Sequence, residues 1–437
     1  MSQNIITRFP PSPTGFLHVG RARTALFNYL FTKHTEGKMV FRIEDTDKER
    51  SKKEYEENII ECLEWLGITY DSGPFRQSER NEIYTKYLKK MIENGSAYIS
   101  KETEGDRSEV IRFKNPNKKI TFTDLIRGDV TMDTTDLEDF VIARSMEEPL
   151  YHLTVVVDDH EMGVTHVIRG DDGISNTPRQ ILIQEGIGAQ RPLYAHIPLI
   201  LASDRSKLSG RHGAVSVTEF RDMGYLPEAF INFLALLGWN PGTEQEIFSM
   251  DELIKIFSLE KVQKAGAIFN VEKLNWFNKK YIEKLDDATL MKHAEKFIPK
   301  DVPQKYLSAL APLIKEKISY FAQIPELFKG ELSFVYGTSN YPKEKLMWKQ
   351  ETDISASKNN LKLVIDVISG MKDAEFNAVN IKSQIWPLAE KIGKGNVLWP
   401  MRFALSGQDR SPDPFVISAI LGKEETVKRL TSAHDAI

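Results

Sequence analysis

The chain has 437 residues and a formal net charge of −4 at pH 7. That length allows about three domains, and the small negative charge does not indicate a nucleic-acid partner, so any such contact must depend on local basic patches. The single cysteine, Cys62, excludes an internal disulfide and a multi-cysteine zinc site. No apolar segment precedes Arg8, and residues 229–239 form the most apolar stretch, which is too short to span a bilayer. The sequence therefore predicts a cytoplasmic, soluble protein with no membrane partner.

The first informative segment is a proline-rich loop between a short strand and a helix. The apolar pair at residues 5–6 leads into three prolines, which cannot continue a strand or a helix interior. His18 and Gly20 then open a helical pattern with apolar residues four apart. A helix start attracts anions through its free N–H groups and dipole, Gly20 permits close approach, and His18 offers a donor. This pattern predicts a nucleotide site; the alternative is a proline-rich turn with a surface histidine.

An acidic turn follows the next strand. Gly37 is predicted to cap the helix, and residues 39–43 are predicted to form a strand with Glu44 at its carboxyl end. Ligands of doubly wound sheets bind beyond the carboxyl ends of the strands. Glu44 is therefore a candidate for holding a substrate amine or a ribose hydroxyl; the alternative is a solvated acidic turn.

The alternation of strand and helix continues after residue 150. The sequence predicts buried strands at residues 155–157, 165–168 and 197–201, and a helix that starts within 176–180 with a proline in its first turn. Asp159 and Arg169 follow the first two of these strands. A polar, basic, glycine-containing loop at residues 203–213 is suited to contact with a polyanion.

Together these segments resemble the class I aminoacyl-tRNA synthetases, and specifically the bacterial glutamyl-tRNA synthetases. The loop at residues 8–15 with His18-Val-Gly20 is similar to that family's form of the HIGH signature, and residues 207–211 occupy the place of its KMSKS loop. The remaining motifs stand in the family's order, at residues 42–47, 156–159, 165–170 and 176–179. The resemblance implies ATP-dependent ligation of L-glutamate to the 3′ end of tRNA-Glu through a glutamyl-adenylate, with release of AMP and pyrophosphate. It also implies that glutamate activation requires tRNA.

The resemblance implies an α/β fold with a class I Rossmann-like, doubly wound catalytic domain, an α+β acceptor-binding insertion, and an all-helical C-terminal anticodon-binding region. The expected segments are a first catalytic half at 1–97, the insertion at 98–151, a second catalytic half at 152–208, a stem-contact region at 209–312 and the helical region at 313–437. The insertion lacks the longer segment in which some relatives carry a zinc knuckle, so no structural zinc is expected. A monomer is expected.

The resemblance assigns the ATP site to two of the motifs. His18, Gly20 and Lys207 are expected to be catalytic, with His18 and Gly20 facing the ATP phosphates and Lys207 following the leaving pyrophosphate. Leu208 and Arg211 complete the expected ATP-binding set. Mg²⁺ is expected to accompany the nucleotide.

The glutamate site is carried over in the same way, position by position. Arg8, Tyr151 and Arg169 are expected to bind the side-chain carboxylate, and Ser12 and Glu44 the α-amine. The chemistry is consistent, because a guanidinium pairs bidentately with a carboxylate and an acid pairs with an ammonium group.

Structural alternatives and departures from the family stand beside these assignments. Arg169 could form an ion pair with Asp171 or Asp172, and Tyr151 could be an ordinary core residue. Gly210 stands where the family loop normally has its second lysine, and Gly173 replaces a larger residue near the substrate.

Three other functions are alternatives to a glutamyl-tRNA synthetase. A glutaminyl-tRNA synthetase is disfavoured by Arg169, since a neutral amide gains little from a buried cation. The short paralogue that charges a queuosine base lacks an anticodon domain, whereas this chain continues for more than a hundred residues past Leu313. A catalytically silent tRNA-binding or regulatory paralogue is supported only by Gly210.

Overall fold

The computed structural model describes residues 4–102, 109–209, 213, 215–337, 341–349 and 353–437. The chain divides into two compact units, residues 1–278 and 279–437. The five predicted segments are finer than this division and stay predictions; the predicted start at residue 313 lies inside a helix of the second unit.

The strands all lie in the first unit as far as the structure describes it. They are β1 (Ile6–Phe9), β2 (Lys38–Ile43), β3 (Ser72–Arg76), β4 (Ala97–Lys101), β5 (Glu109–Phe113), β6 (Lys119–Asp124), β7 (Gly128–Asp133), β8 (Phe140–Ser145), β9 (Glu148–Pro149), β10 (His166–Gly170), β11 (Leu193–Ile197), β12 (Ile200–Leu201) and β13 (Ala267–Ile268). The order β1-β2-β3 makes a parallel sheet, and β10-β11-β6-β7 makes a mixed sheet in which only β7 is antiparallel to its neighbour. The strands β4-β5-β8-β9 form an antiparallel sheet, and β12 pairs with β13.

The two parallel strand sets are joined side by side. The N–H of Thr165 donates to the carbonyl of Ile6 at 2.9 Å, and the N–H of Ile6 donates to Thr165 Oγ1 at 2.9 Å. Further along both strands, Nη1 of Arg8 donates to the carbonyl of Ile168 at 3.2 Å. Strands β1 and β10 therefore run in the same direction, and their carboxyl ends meet at one edge.

The helices of the first unit cover these sheets. They are α1 (Val19–His34), α2 (Lys53–Trp65), α3 (Asn81–Glu93), α4 (Tyr151–Glu161), α5 (Thr177–Ile187), α6 (Val217–Asp222), α7 (Pro227–Leu236), α8 (Met250–Ile256) and α9 (Val271–Lys284), the last of which runs across the division. Buried side chains of α3, α4 and α5 form one core with strands of the mixed and antiparallel sheets. Cys62 is buried on α2.

The described part of the second unit is helical. Its helices are α10 (Asp287–Ala294), α11 (Leu307–Lys317), α12 (Ile324–Lys329), α13 (Ile354–Gly370), α14 (Ala378–Ile392), α15 (Lys394–Ser406), α16 (Pro414–Leu421) and α17 (Lys423–Ala436). Buried apolar residues at helical spacing, such as Leu361, Val364 and Ile368 on α13, form its interior. None of the described helices of the chain is both long enough and apolar enough to cross a membrane.

Most predicted elements near the loop motifs are confirmed, and three details are wrong. Residues 155–157 lie in helix α4 and not in a strand. This helix is buried from Leu153 to Asp159, so its apolar run lacks the polar face that marks a surface helix. The predicted strand at 197–201 is interrupted at Pro198, between β11 and β12.

The third wrong detail is the end of helix α1. The helix is capped by Thr35, and Glu36 takes the left-handed conformation with φ of 53°. Gly37 is required for a different reason, because a Cβ atom there would lie 2.5 Å from the carbonyl oxygen of Ile5.

Candidate active site

A cleft of about 680 Å³ lies at the carboxyl ends of β1, β2 and β10. It is lined by every predicted site residue that the structure describes: Arg8, Ser12, His18, Gly20, Glu44, Tyr151, Arg169, Lys207 and Leu208. Arg211, and Gly210 beside it, lie outside the described residues. Segments far apart in the sequence thus meet at one site, at the edge where a doubly wound sheet binds its ligands.

The start of helix α1 forms one wall of the cleft. His18 is the N-cap residue, and its Nδ1 accepts a hydrogen bond from the N–H of Gly20 at 2.9 Å. The N–H of Val19 donates to the carbonyl of Val215 at 2.9 Å. The prediction of free N–H groups is therefore wrong for these two, which are bonded within the protein. The helix dipole and the side chain of His18 remain as attractions for an anion.

The protonation of His18 follows from these contacts. Burial lowers its pKa, and the charge of Arg21 lowers it further, so the ring is neutral at pH 7. Because Nδ1 accepts a hydrogen bond, the proton of the neutral ring is assigned to Nε2. His18 thus keeps one donor, as the sequence predicted, and this Nε2–H lies toward the backbone carbonyl of Leu208. A Cβ atom at Gly20 would lie 3.1 Å from the His18 ring, so Gly20 makes room for this cap.

The basic loop after β12 also lines the cleft. The Nζ atom of Lys207 lies 3.3 Å from Asp172 Oδ2, and both side chains are more than half exposed. An exposed ion pair of this kind contributes little to stability, so Lys207 is free to exchange Asp172 for a phosphate. The N–H of Leu208 donates to the carbonyl of Ile200 at 3.1 Å, which ties the loop to β12.

A group of buried charges lies beneath the cleft floor. We call it the ionic cluster, and its members are Arg8, Arg42, Arg80, Glu44, Asp158 and Asp159. Arg42 is at its centre, with nitrogen–oxygen distances of 2.8 Å to Asp159, 3.1 Å to Glu44 and 3.6 Å to Asp158. Arg8 lies 3.4 Å from Asp159, and Arg80 lies 2.7 Å from Asp158. Three guanidinium groups therefore face three carboxylates, and the cluster is balanced.

The pKa values of Asp159 and Glu44, two carboxylates of the ionic cluster, are shifted in opposite directions. Burial alone would raise the pKa of Asp159, but Arg42 and Arg8 hold it below its usual value. Burial raises the pKa of Glu44 in spite of Arg42. A cation bound next to Glu44 would oppose that shift, which fits the amine-binding role predicted for this residue.

Arg169 is held in a different way, by neutral groups. Its Nε donates to His196 Nε2 at 3.1 Å, its Nη1 to Gln180 Oε1 at 2.7 Å and its Nη2 to Thr177 Oγ1 at 2.8 Å. We call these four residues the Arg169 corner. Burial lowers the pKa of Arg169, but an arginine stays charged in a protein.

The predicted alternatives for Arg169 and Tyr151 are not what the structure contains. Asp171 pairs with Arg127 at 2.9 Å, and Asp172 pairs with Lys207. In the described part of the chain, no carboxylate forms an ion pair with Arg169. Tyr151 is 40% exposed and borders the cleft, so it is not an ordinary core residue.

Sequence reasoning missed the residues that hold Arg169. Thr177 and His196 are fully buried, and Gln180 is 2% exposed. One sequence feature could have indicated such a residue, namely a polar side chain within an otherwise apolar buried strand, as His196 is in β11. Gly173 was noticed only as a departure from the family; a Cβ atom there would lie 2.7 Å from Nε of Arg169.

The described residues contain no group of three or more His, Cys, Asp or Glu side chains that could hold a metal ion. Residues 103–108, within the segment where some relatives have a zinc knuckle, lie outside the described part.

Comparison with known sequences gives the family. The family model described as "tRNA synthetases class I (E and Q), catalytic domain" matches residues 4–107 and 99–276. The chain belongs to this class I synthetase family. A second model, "Anticodon binding domain", matches residues 289–434 of the synthetase, in the helical second unit. The predicted fold class, an α/β class I catalytic domain followed by a helical anticodon-binding region, is confirmed.

Relatives of the synthetase match it over nearly its whole length. The glutamate–tRNA ligase of Aquifex aeolicus is 42% identical, over 97% of this chain and 97% of its own. The enzyme of the same name from Carboxydothermus hydrogenoformans is 39% identical, over 97% of this chain and 98% of its own. Among solved structures, a glutamate tRNA ligase from Elizabethkingia meningosepticum, crystallised with its amino acid, superposes with a TM-score of 0.88 at 32% identity, and each chain is 99% covered.

Proposed function

We propose that this synthetase is a glutamate–tRNA ligase. It uses ATP to join L-glutamate to the 3′ end of tRNA-Glu through a glutamyl-adenylate, and it releases AMP and pyrophosphate. Full-length relatives that carry this name support the proposal. The structural observation that carries it is Arg169, a half-buried cation that lines the cleft and has neutral partners.

A count of charges supports glutamate over glutamine. The ionic cluster is balanced, so Arg169 adds a positive charge that has no carboxylate partner. Arg23 also lines the cleft, but its guanidinium donates to the backbone carbonyls of Leu237 and Pro198. Burying an unpaired charge is unfavourable. Glutamate has one carboxylate more than glutamine, and its side-chain carboxylate supplies the missing partner. A guanidinium has five N–H donors, and three of its nitrogens each donate one hydrogen bond here, which leaves two donors for a bidentate contact.

The remaining glutamate contacts follow from position. Arg8 and Tyr151 border the same cleft as Arg169 and complete the side-chain carboxylate site. Glu44 and Ser12 line the same cleft and bind the α-amine, where an ammonium group would favour the ionised form of Glu44. The α-carboxylate is thereby left free to react.

The reaction needs positioning and charge stabilisation more than covalent help from the protein. The glutamate α-carboxylate attacks the α-phosphorus of ATP, and the bond to pyrophosphate breaks. The helix start at Gly20 and the Nε2–H of His18 stabilise charge on the phosphates, and Lys207 follows the leaving pyrophosphate. Leu208 and, on sequence alone, Arg211 complete the ATP site. The 2′-hydroxyl of the terminal adenosine of tRNA then attacks the adenylate carbonyl and displaces AMP.

Mg²⁺ is proposed to enter with ATP. Mg²⁺ usually takes most of its ligands from phosphate oxygens and water. Asp172 is the carboxylate at the phosphate side of the cleft, beside Lys207. Bound there, the ion would offset phosphate charge. The proposed enzyme acts in the cytoplasm as a monomer.

Aminoacylation with purified components tests this function. The synthetase is incubated with ATP, labelled glutamate or glutamine, and tRNA-Glu or tRNA-Gln. Glutamate should be joined to tRNA-Glu only when ATP is present, and glutamine should not be joined to either tRNA. Transfer of glutamine, or no transfer of any amino acid with active tRNA, contradicts the proposal. Charging of tRNA-Gln with glutamate measures how widely the enzyme selects tRNA.

A further inference from the structure

Arg169 is connected to a residue of the predicted acceptor-binding insertion. Asp124 ends strand β6 and is 2% exposed. Its Oδ2 accepts hydrogen bonds from the backbone N–H of His196 at 3.0 Å and from His196 Nδ1 at 2.6 Å. Its Oδ1 accepts from the backbone N–H groups of Ile126 and Arg127 at 2.9 and 2.8 Å. Four donors therefore fix this carboxylate in its ionised form.

These contacts determine which nitrogen of His196 carries the proton. An ionised carboxylate only accepts hydrogen bonds, so Nδ1 of His196 is the donor toward Asp124. Arginine has no acceptor, so the contact between Arg169 Nε and His196 Nε2, at 3.1 Å, requires a lone pair on Nε2. Asp124 thus selects the one neutral form of His196 that can hold Arg169.

The remaining contacts of the corner act in the same direction. Gln180 and Thr177 accept from the two terminal nitrogens of Arg169, and they leave one N–H free on each. The chain of contacts is buried throughout, since Asp124, His196 and Thr177 are at most 2% exposed. A rotation of the guanidinium would break its hydrogen bonds and leave the buried acceptors of His196 and Thr177 without a donor.

We propose that Asp124 and His196 are positioning residues for glutamate recognition, which fix the guanidinium of Arg169 so that its free N–H pair faces the substrate carboxylate. This inference rests on the proposed function and deepens it. It also connects glutamate selection to the β6–β7 hairpin, since Asp124 belongs to the hairpin and Arg169 to β10.

Two substitutions of His196 separate positioning from a purely structural role. His196→Asn places an amide near the position of Nδ1, so it keeps a donor for Asp124 and loses the acceptor for Arg169. His196→Gln reaches the position of Nε2, so it keeps an acceptor for Arg169 and loses the close contact with Asp124. If His196 only satisfied the buried carboxylate, Asn would be the better replacement in every assay. Positioning predicts that Gln is the better replacement for glutamate recognition.

The measurement is pyrophosphate exchange in the presence of tRNA-Glu, with glutamate and ATP varied separately. For His196→Asn the KM for glutamate should rise by about 10- to 100-fold, as expected for losing a hydrogen bond to a charged group. The KM for ATP should stay the same, and His196→Gln should raise the KM for glutamate less. An equal rise for both variants, the reverse ranking, or parallel changes in the ATP and glutamate constants would overturn the proposal.

A second pair of variants keeps the test decisive if His196→Asn does not fold. Asp124→Asn keeps the size of the side chain but permits the wrong form of His196, so the KM for glutamate should again rise. Asp129→Asn is the matched control on the same hairpin, where Asp129 is exposed and accepts a hydrogen bond from Thr123 at 2.7 Å. An unchanged KM for Asp124→Asn, or an equal change in the control, contradicts the proposal. If wild-type protein fails to charge glutamate, the proposed function fails instead, so the two failures are distinguishable.

Discussion

The ionic cluster and the Arg169 corner use the same cation in opposite ways. In the cluster, three arginines face three carboxylates, and Arg42 alone contacts three of them within 3.6 Å. In the corner, one arginine is surrounded by an imidazole, an amide and a hydroxyl. Neutral acceptors orient a guanidinium without cancelling its charge. The cluster is therefore complete without a ligand, whereas the corner lacks an anion.

This difference predicts a separation of effects. Breaking the cluster at Arg42, its fully buried centre, should mainly cost stability, because it leaves buried charge without a partner. Arg8 and Glu44 also border the cleft and have proposed glutamate contacts, so Arg42 is the member that tests stability. Breaking the corner should mainly cost glutamate recognition.

The largest effect is expected for Arg42→Met. The change leaves Glu44, Asp158 and Asp159 with too little positive charge, and losing one partner of a buried ion pair costs about 3–5 kcal/mol. Urea denaturation at pH 7 measures it. The control is Arg50→Met, since Arg50 is 74% exposed in its pair with Asp47 and should cost about 1 kcal/mol or less. Equal losses in the two variants would mean that the cluster is not a coupled buried unit.

Lys207→Ala should lower the rate of adenylate formation and leave stability nearly unchanged. The exposed pair with Asp172 contributes little to folding. The positive charge of Lys207 beside the leaving pyrophosphate should instead stabilise the transition state. Losing one such contact costs about 3–4 kcal/mol of barrier. Single-turnover kinetics with tRNA measures it, with Lys89→Ala on helix α3 as an exposed control. A weaker ATP affinity with an unchanged rate would give Lys207 a binding role only.

Gly173→Ala tests the corner by steric pressure. The added Cβ atom would meet Nε and Cδ of Arg169 at 2.7 and 2.9 Å, so the guanidinium must shift. Overpacking of this size costs about 1–3 kcal/mol. We expect this cost to lower kcat/KM for glutamate and to leave the KM for ATP unchanged. Gly370→Ala is the control, because nothing lies within 4 Å of its added atom. If Gly173→Ala had wild-type kinetics, the position of the Arg169 guanidinium would not determine glutamate recognition.

The smallest effect concerns His152, which is next to Tyr151. Burial, followed by the charges of Arg179 and Arg169, lowers its pKa to about 4. The unfolded chain therefore binds a proton before the folded chain as the pH falls from 6.5 to 4, and stability is lost over that window. Arg169→Ala should raise this pKa and reduce the loss of stability between pH 7 and pH 5. Urea denaturation at both pH values measures it. Arg191→Ala is the control, because Arg191 is exposed and pairs with Glu185. An identical loss in wild type and Arg169→Ala would mean that the corner exerts no net positive field.

The sequence predicted those parts of the fold that carry local signals. Helix α1 has apolar residues at helical spacing, and α5 begins with a proline in its first turn. Helix α4 was missed because it is buried on nearly all sides, which removes the 3.6-residue period. The cap at Thr35 was missed because Gly37 is explained by a close approach to Ile5, which is distant in the sequence.

The same distinction applies to the site. The site residues that were predicted from family motifs, and that the structure describes, all border one cleft. Their roles stay predictions. The residues that orient Arg169 could not be found, because Asp124 and His196 are 72 positions apart and meet only when β6 pairs with β11. Motifs mark groups that contact a ligand, whereas supporting contacts depend on strand pairing between distant segments.

The role of Arg169 is tested by comparing how wild type and Arg169→Ala join glutamate and glutamine to tRNA. Aminoacylation of tRNA-Glu is measured at varied amino acid and varied ATP. We expect kcat/KM for glutamate to fall by a factor that corresponds to about 3–5 kcal/mol of lost transition-state stabilisation. The KM for ATP and the low activity with glutamine should stay the same. If Arg169→Ala charges glutamate as well as wild type does, or loses glutamate and ATP binding together, then Arg169 is not the group that recognises the side-chain carboxylate.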